Sequence, residues 1–346
     1  MTNDENREVW TLAEVRDGRC HPVSTELLAW GRKLADDLGT RLASVVIGSG
    51  ITGLAEELIY AGSDRVYLID DSELGVFRAD AAVNVIERLV RKYSPSILIA
   101  SATTRGRTIM PMLSARLCCG LTADCTGLSI DLKTKKLLQT RPAVGGNVMA
   151  DIITRGAGPQ MCTVRPKSKK PLSADTSRHG DIITEKMAPA LLSSLIEHID
   201  FRKDSATGLP LQEAEIIAAG GKGMKNAANF GKLKELAALL GGAVGASRAA
   251  VDLGWAPYPA QVGLSGKSVT PRVYIAFGIS GAVQHIAGMS GAETVIAVNQ
   301  DPDAPIFSVA DLCIQGDAME ILSGLINLIK ERKKARYHPG SDGKTK

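Results

Sequence analysis

Short apolar runs with β character alternate with amphipathic helical stretches along this chain, and the alternation stops once and then restarts. Few folds satisfy that pattern. Strands that alternate with helices pair as a mostly parallel sheet covered on both faces, because each parallel return needs a helix-length crossover. In the first half, EVWTLAEV (8–15) reads as a strand closed by the turn Arg16-Asp17-Gly18. STELLAWGRKLADDLG (24–39) reads as a helix with Leu27, Leu28, Trp30, Leu34 and Leu38 on one face. Strands at 41–50, 65–70 and 96–101 then alternate with helices over 52–62, 80–93 and near 106–119. A β-rich, glycine-containing section runs from LSIDL to CTVRP.

The break falls at 166–210. PKSKKPLSADTSRHGD and KDSATGLPLQ, polar and bearing Pro and Gly, flank one helical patch, ALLSSLIEHI (190–199), and read as an interdomain connection. The expected division is an N-terminal α/β domain over 1–207, with the linker starting near 166, and a C-terminal domain over 208–335. The tail 336–346 is expected to be disordered. In the second half EIIAAGGKGM (215–224) is a strand running into a glycine turn, followed by a helix at 229–241 and a short apolar run at 243–246. VYIAF (273–277), a helix, TVIAVNQD (294–301), LCIQG (312–316) and a closing helix at 318–334 complete it. The fold class is therefore α/β, two domains, each a mostly parallel sheet with helices on both faces and the second Rossmann-like.

A length of 346 residues favours two cores, and 45% apolar with 23% charged residues is an ordinary globular mix. Only 4% of residues are aromatic, which leaves little to stack on single-stranded nucleic acid, and no nucleic-acid partner is expected. The net charge of +4 is modest, and the basic runs RPKSKKP (165–171) and KERKKAR (330–336) read as solvated surface. No stretch approaches the roughly 18 apolar residues of a membrane span. MTNDENREVW is polar and acidic, unlike a secretory or transit signal, so a cytoplasmic location without membrane insertion is expected. The six cysteines contain no C-x-x-C and no zinc or iron–sulfur spacing, so no metal site is expected.

Candidate chemistry lies in the loops predicted at the carboxyl ends of the C-terminal strands, where open α/β sheets bind ligands. VYIAF stops at Gly278-Ile279-Ser280-Gly281, and a helix-like stretch carries Gln284 and His285 just inside it. Glycines there let the backbone approach a ligand, and the first free N–H groups of a helix favour an anion. Asn299-Gln300-Asp301 follows 21 to 23 residues after Gly278, about where a dinucleotide fold places a polar side chain on a ribose. The spacing is G-x-x-G rather than G-x-G-x-x-G, so a plain βα turn with Ser280 as N-cap stays open. GGKG (220–223) brings Lys222, ASRAAVD (246–252) brings Ser247 and Arg248, and VGLSGK (262–267) brings Ser265 and Lys267. All are predicted at the same edge and can converge on one large anionic ligand. A Ser-His-Asp catalytic set is not supported, since no G-x-S-x-G elbow is present.

VGLSGKSVTPRVYIAFGISGAVQHIAGMSGAETVIAVNQDPDAPIFSVAD (262–311) resembles the signature region of the α subunit of electron transfer flavoprotein. GGKGM, GASRAAVD, TRPAVGGNVMADI and PQMCTVRP resemble the same family in the same order. The resemblance implies FAD bound in the C-terminal domain, a β-subunit partner in a heterodimer, and electron shuttling with no catalytic residue of its own. By the same resemblance, Ser280, Gly281, Ala282, Val283, Gln284 and His285 contact the pyrophosphate and flavin end, with His285 near the pyrimidine carbonyl. Arg248 and Ser265 lie beside the isoalloxazine, and Asn299 and Asp317 hold the ribose and phosphate side. Lys222, Ser247, Val262, Gly263 and Leu264 belong to the same implied set. The chain departs from the family at two places, with Lys222 where Arg is usual and Leu264-Ser265 where Gln-Thr is usual. The first loses a planar fork, and the second keeps the hydroxyl and loses an amide.

The N-terminal domain is expected, by resemblance, to bind no nucleotide and to form a platform with the β subunit. Its loop ASATTRGRT (100–108) has a spacing that alone would suit a phosphate. Two jobs are open within the family. One is transfer from an acyl-CoA dehydrogenase-type flavoenzyme to a membrane quinone reductase. The other is electron bifurcation, with NADH and a second FAD at the β subunit and ferredoxin as an external acceptor. An NAD-consuming transferase or deacylase of related fold, and a structural subunit with a vestigial site, are the readings from other classes. The FAD domain is expected to swivel on a linker at 200–210.

Overall fold

The computed structural model of the protein describes residues 7–143, 148–156, 158–200 and 209–337. The chain divides into two compact units, Met1–Arg202 and Lys203–Lys346. The linker residues 201–208 and the tail beyond Tyr337 lie outside the described residues.

The first unit opens with β1 (Val9–Leu12), a small hairpin of β2 (Val15–Arg16) and β3 (Arg19–Cys20), and α1 (Pro22–Leu38). It continues through β4 (Leu42–Gly48), α2 (Leu54–Tyr60), β5 (Arg65–Asp70), α3 (Ala79–Tyr93), β6 (Ile97–Ser101), α4 (Thr104–Leu117) and β7 (Leu121–Cys125). Then come β8 (Gly127–Asp131), β9 (Lys136–Pro142), β10 (Met149–Ile153), β11 (Gln160–Val164), β12 (Asp181–Thr184) and α5 (Pro189–Leu192). Seven strands form one sheet in the order β12-β5-β4-β1-β6-β11-β7, every pairing parallel. β8, β9 and β10 form a separate antiparallel sheet.

Period-2 alternation along the central strands divides the core. Val9, Leu42 and Val46 pack with Leu27, Leu34 and Leu58 of α1 and α2 on one face. Trp10, Ala43 and Val45 pack with Ile86, Leu89 and Leu113 of α3 and α4 on the other. Local chemistry sets the helix limits. His21 caps the start of α1 by accepting from Val23 N, and Gly39 ends it at φ 69 with its N–H on the carbonyls of Ala35 and Asp36.

Two stretches differ from the sequence expectation. Residues 181–184, inside the segment read as a connection, add an edge strand beside β5. The patch at 190–199 is helical only over Pro189–Leu192. Beyond it the Asp80 carboxylate, at the start of α3, accepts from Ser194 Oγ at 2.7 Å and Leu195 N at 2.8 Å. These bonds hold the chain out of the helix where the apolar period alone suggested another turn.

The strand order of this unit reverses between β1 and β6. There the loop read as phosphate-like is occupied by the chain's own carboxylate: Thr103 Oγ1 donates to Glu14 Oε2 at 2.7 Å while accepting from Gly106 N. Glu14 is buried. Asp70 does the same for the loop after β4, accepting from the N–H groups of Gly50 and Ile51 and from Thr52 Oγ1. Burial opposes its ionisation, but these donors outweigh the burial and lower its pKa.

The second unit runs β13 (Ile216–Gly220), α6 (Asn229–Leu240), β14 (Ala243–Ala246), α7 (Arg248–Asp252), β15 (Val273–Phe277), α8 (Val283–Met289), β16 (Thr294–Asn299), β17 (Leu312–Gln315) and α9 (Ala318–Tyr337). Its five strands are all parallel in the order β14-β13-β15-β16-β17. Tyr274 and Ala276 face a cluster with Ile217, Met289 and Ile306. Ile275 and Phe277 face the α6 and α9 side with Leu233, Leu236 and Leu322. Both units are thus parallel sheets with apolar faces covered on either side. No described helix is long and apolar enough to cross a membrane.

Gly106 tests how tightly the first unit is wound, because a Cβ there would lie 1.8 Å from Ser101 O at the β6–α4 turn. We expect Gly106→Ala to lower the stability of this unit in urea unfolding by ~2 kcal/mol or more. A change below ~0.5 kcal/mol would show that the strand and helix can part without cost.

Candidate functional site

The carboxyl ends of the C-terminal strands lie in register, Gly220 beside Ala246 on one side and Phe277 on the other, and Phe277 beside Val298. Every loop that follows therefore leaves from one edge. The strand order reverses between β13 and β15, the position where such sheets open a crevice. The two loops flanking that reversal are bound backbone to backbone, with Gly221 N donating to Phe277 O and Gly223 N to Gly278 O, both at 2.9 Å. A Cβ at Gly221 would stand 2.2 Å from Gly278 O, and one at Gly223 would stand 2.7 Å from Gly278 Cα. Gly278 itself has φ 59, and its own Cβ would meet Gly223 Cα at 2.6 Å. Only glycine fits these positions.

The G-x-x-G turn is held from its far side as well. Gly281, at φ 91, packs on Ile306 N so closely that a Cβ would lie 2.2 Å away, and Ile306 N donates to Ser280 O. Ser280 is exposed and is not the N-cap, which is Ala282; it makes no side-chain cap. Ala282, Val283 and Gln284 are exposed where α8 begins.

The loop after α7 joins the same assembly. Val262 is buried, with its N–H on Ala246 O, and Leu264 N donates to Gln284 O at 2.9 Å. Gly263, at φ 144, crosses α8 at Gly288, whose Cβ would lie 2.4 Å from Gly263 Cα. Leu264 and Ser265 are exposed, and Ser265 Oγ accepts from the buried Gln261 Nε2 at 3.0 Å. Ser247 caps α7, its hydroxyl accepting from Ala250 N. Arg248 beside it is 72% exposed and pairs with Asp252 at 3.4 Å. Lys222 is exposed on the turn after β13.

Asn299 and Asp317 are tied into the chain. Asn299 Nδ2 donates to Ile279 O and its Oδ1 accepts from Asp301 N, so this side chain braces the G-x-x-G turn. Asp317 Oδ1 accepts from Met319 N and Glu320 N at the start of α9, and Oδ2 accepts from Lys225 Nζ and Gln300 Nε2. Lys225 foremost, then those two N–H groups, lower its pKa. Lys225 and Gln300 stand within three residues of predicted site residues, and that proximity was the available signal. Gln261 adjoins the predicted Val262 and had the same signal, whereas Tyr274, inside the apolar run VYIAF, carried none.

His285 is 6% exposed. Its Nε2 is 2.9 Å from Tyr274 OH, and its buried Nδ1 faces the Val262 carbonyl without a hydrogen bond of ordinary geometry. Burial pulls its pKa down to about 4, against a smaller opposite effect of the Val262 carbonyl, so the ring is neutral. Among the described residues no group of three metal-ligating side chains occurs. The edge as a whole offers close-approach glycine backbone, a row of exposed helix-start residues, two exposed cations and a buried neutral imidazole. These suit a large anionic ligand with a nucleotide diphosphate and a ring carbonyl.

Comparison with known proteins bears on which ligand this is. The family described as the electron transfer flavoprotein domain matches residues 9–190, and its FAD-binding domain matches residues 210–290. The chain is 43% identical over 332 residues to the electron transfer flavoprotein subunit alpha of Thermoanaerobacterium thermosaccharolyticum, covering 95% of this chain and 100% of that one. It is 42% identical over 331 residues to the subunit of the same name from Megasphaera elsdenii, covering 95% and 98%. It is also 40% identical over 314 residues to subunit LctC of the lactate dehydrogenase (NAD(+),ferredoxin) of Acetobacterium woodii, covering 91% and 75%. With both domains matched and the first two of these relatives aligned nearly end to end, this chain belongs to the electron transfer flavoprotein α-subunit family, as an FAD-binding electron carrier.

Proposed function

We propose that the second unit holds FAD across the carboxyl ends of β13, β14, β15 and β16, and that the chain passes electrons between a dehydrogenase-type flavoenzyme and a second redox partner. In this reading residues 1–207 pack on a β subunit, 208–335 carry the cofactor, and the complex works in the cytoplasm. The observation that carries it is the glycine-on-glycine closure of the β13 and β15 loops beneath exposed Lys222, Arg248 and Ser280.

FAD, when bound, supplies one- and two-electron redox chemistry at its isoalloxazine ring. The residues of this chain do the rest. Ser280 to Gln284 present backbone N–H groups and a hydroxyl to the pyrophosphate. Lys222 acts as a point charge there, without the bidentate geometry of an arginine. Arg248 and the Ser265 hydroxyl face the ring, where a fixed positive charge favours the reduced, more negative form without reorganising. Gln261 orients that hydroxyl. Asn299 and Asp317, already bonded within the chain, shape the ribose side by bracing its loops.

The electron donor is, in this proposal, an acyl-CoA dehydrogenase-type flavoenzyme. The relative whose name pairs NAD(+) with ferredoxin favours bifurcation, with NADH meeting the β subunit and ferredoxin as external acceptor. The chain co-expressed with its β subunit is expected to contain two FADs per heterodimer and to bleach rapidly with NADH. One FAD unreactive toward NADH would instead indicate delivery to a membrane quinone reductase. A colourless complex would sink the cofactor assignment.

Arg248→Ala is expected to lower the first flavin reduction potential by roughly 60–120 mV, the electrochemical equivalent of losing one charge-assisted hydrogen bond. An unchanged potential in spectroelectrochemical titration would remove Arg248 from the ring. The neutrality of His285 is testable by pH. Its folded pKa of about 4 lies below its ordinary 6.5, so its contribution is complete above 6.5 and is lost as pH falls toward 4. In the flavin-free protein that loss should reach ~3 kcal/mol. His285→Gln should flatten the slope in this window, and equal slopes in both proteins would contradict the burial argument.

A further inference from the structure

We propose that Cys118 and Cys119, side by side where α4 meets β7, form a dithiol site that takes up a trivalent organoarsenical as a two-sulfur chelate. The site lies in the first unit and is independent of the cofactor reading above.

Of the six cysteines, these two are adjacent in sequence. Cys118 is exposed and Cys119 half-buried, and neither is in a disulfide. The turn that ends α4 brings both sulfurs to the same end of that helix. Cys118 occupies the left-handed cap at φ 52, with its N–H on the carbonyls of Ala115 and Ser114. Its Sγ donates to Ala115 O at 3.7 Å, and Cys119 Sγ donates to Leu117 O at 3.3 Å, so both thiols end at carbonyls of the last turn. A thiol is a weak donor, and such contacts yield readily to a stronger bond. Ser114 Oγ donates to Cys119 O at 2.6 Å and ties the backbone of the pair to the helix. On the other side Gly158, between β10 and β11, lies against Cys119 without a side chain. A Cβ there would stand 2.5 Å from Cys119 Sγ.

The commoner uses of paired thiols fit this pair poorly. The peptide between them is trans. Adjacent Cα atoms then lie about 3.8 Å apart, short of the roughly 4.4–6.8 Å of a disulfide, so direct S–S bonding strains the backbone. Burial foremost, then Cys118, raises the Cys119 thiol, with Arg91 opposing. Its proton therefore stays on at neutral pH, and the thiol is a poor nucleophile for disulfide exchange. Zinc takes four ligands, and among the described residues no His, Cys, Asp or Glu completes even a group of three. A soft centre that needs two sulfurs and brings its own third bond meets no such obstacle. With bonds to sulfur of about 2.3 Å, as for zinc, it holds the sulfurs farther apart than the ~2.05 Å of an S–S bond. Trivalent arsenic bearing one carbon substituent is such a centre. From its hydrated form two As–O bonds break and two As–S bonds form, and each hydroxide leaves as water with one thiol proton. Arsenic stays trivalent, and no electron is transferred.

The test uses the full chain with its β subunit and phenylarsine oxide as the probe. Intact mass should show one phenylarsenic group on this chain, held in excess monothiol and released by a dithiol. Digestion should find it on a single peptide carrying Cys118 and Cys119. Cys118→Ser and Cys119→Ser should each weaken retention about 100-fold, the advantage lost with the second of two linked sites. Cys20→Ser and Cys313→Ser should leave it unchanged. A label that monothiol strips from the wild type overturns the proposal, as does one that survives in Cys118→Ser. A label bridging the buried Cys125 and Cys162 overturns it too. Should a serine variant fail to assemble with the β subunit, the wild-type digest decides alone: arsenic on the Cys118–Cys119 peptide upholds the site, and arsenic elsewhere removes it.

Discussion

The second unit depends on a contact between two pieces of backbone. Gly221 and Gly223 lie against Gly278 at distances that exclude any side chain, and two N–H···O bonds join the loops at the point where the strand order reverses. A Cβ on any of the three would drive β13 and β15 apart at their carboxyl ends, because the atoms opposed to it are backbone and cannot rotate away. With the loops closed, the start of α8, the bracing Asn299 and the packed Gly281–Ile306 contact all follow at defined positions. The crevice is thus lined by peptide groups, the donors that suit an extended diphosphate.

The first unit has the same kind of parallel sheet and a reversal of its own between β1 and β6, with the opposite outcome. There a buried glutamate, Glu14, takes the Thr103 hydroxyl, and Asp70 takes the donors of the neighbouring loop. An internal carboxylate at such a turn occupies donors that would otherwise face outward, Glu14 being paired in addition with Arg16. The difference between the two edges is one of charge and of side-chain volume, not of topology.

Within the site, the side chains divide by what already holds them. Lys222, Arg248, Ser280 and Gln284 reach solvent and are available to a ligand. Asn299 and Asp317 are committed to the chain and brace the loops that carry Ser280 and Lys222, and His285 is bonded to Tyr274 of β15. A flavin site that must favour one redox state benefits from such an arrangement, since donors fixed before reduction need not reorganise during it.

The strand–helix alternation, the two-core organisation and the four convergent loops were legible from residue order, because periodicity and glycine position act locally. So were the exposed cations, which follow the ends of apolar runs. The helical patch at 190–199 was misleading for the same reason: its period is local, and the Asp80 carboxylate that extends it lies more than a hundred residues away. The contact of Tyr274 with His285 was invisible, Tyr274 being one more apolar position in VYIAF. Residue order alone determined the alternation of strands and helices and which C-terminal loops share an edge, since those depend on neighbours in sequence, but not the edge strand at 181–184 or the end of the helix at 192. Only the tertiary structure decided that three glycines lock that edge, that Glu14 closes its counterpart, and that Tyr274 holds His285. Each of those is a contact between segments distant in sequence, which no local pattern specifies.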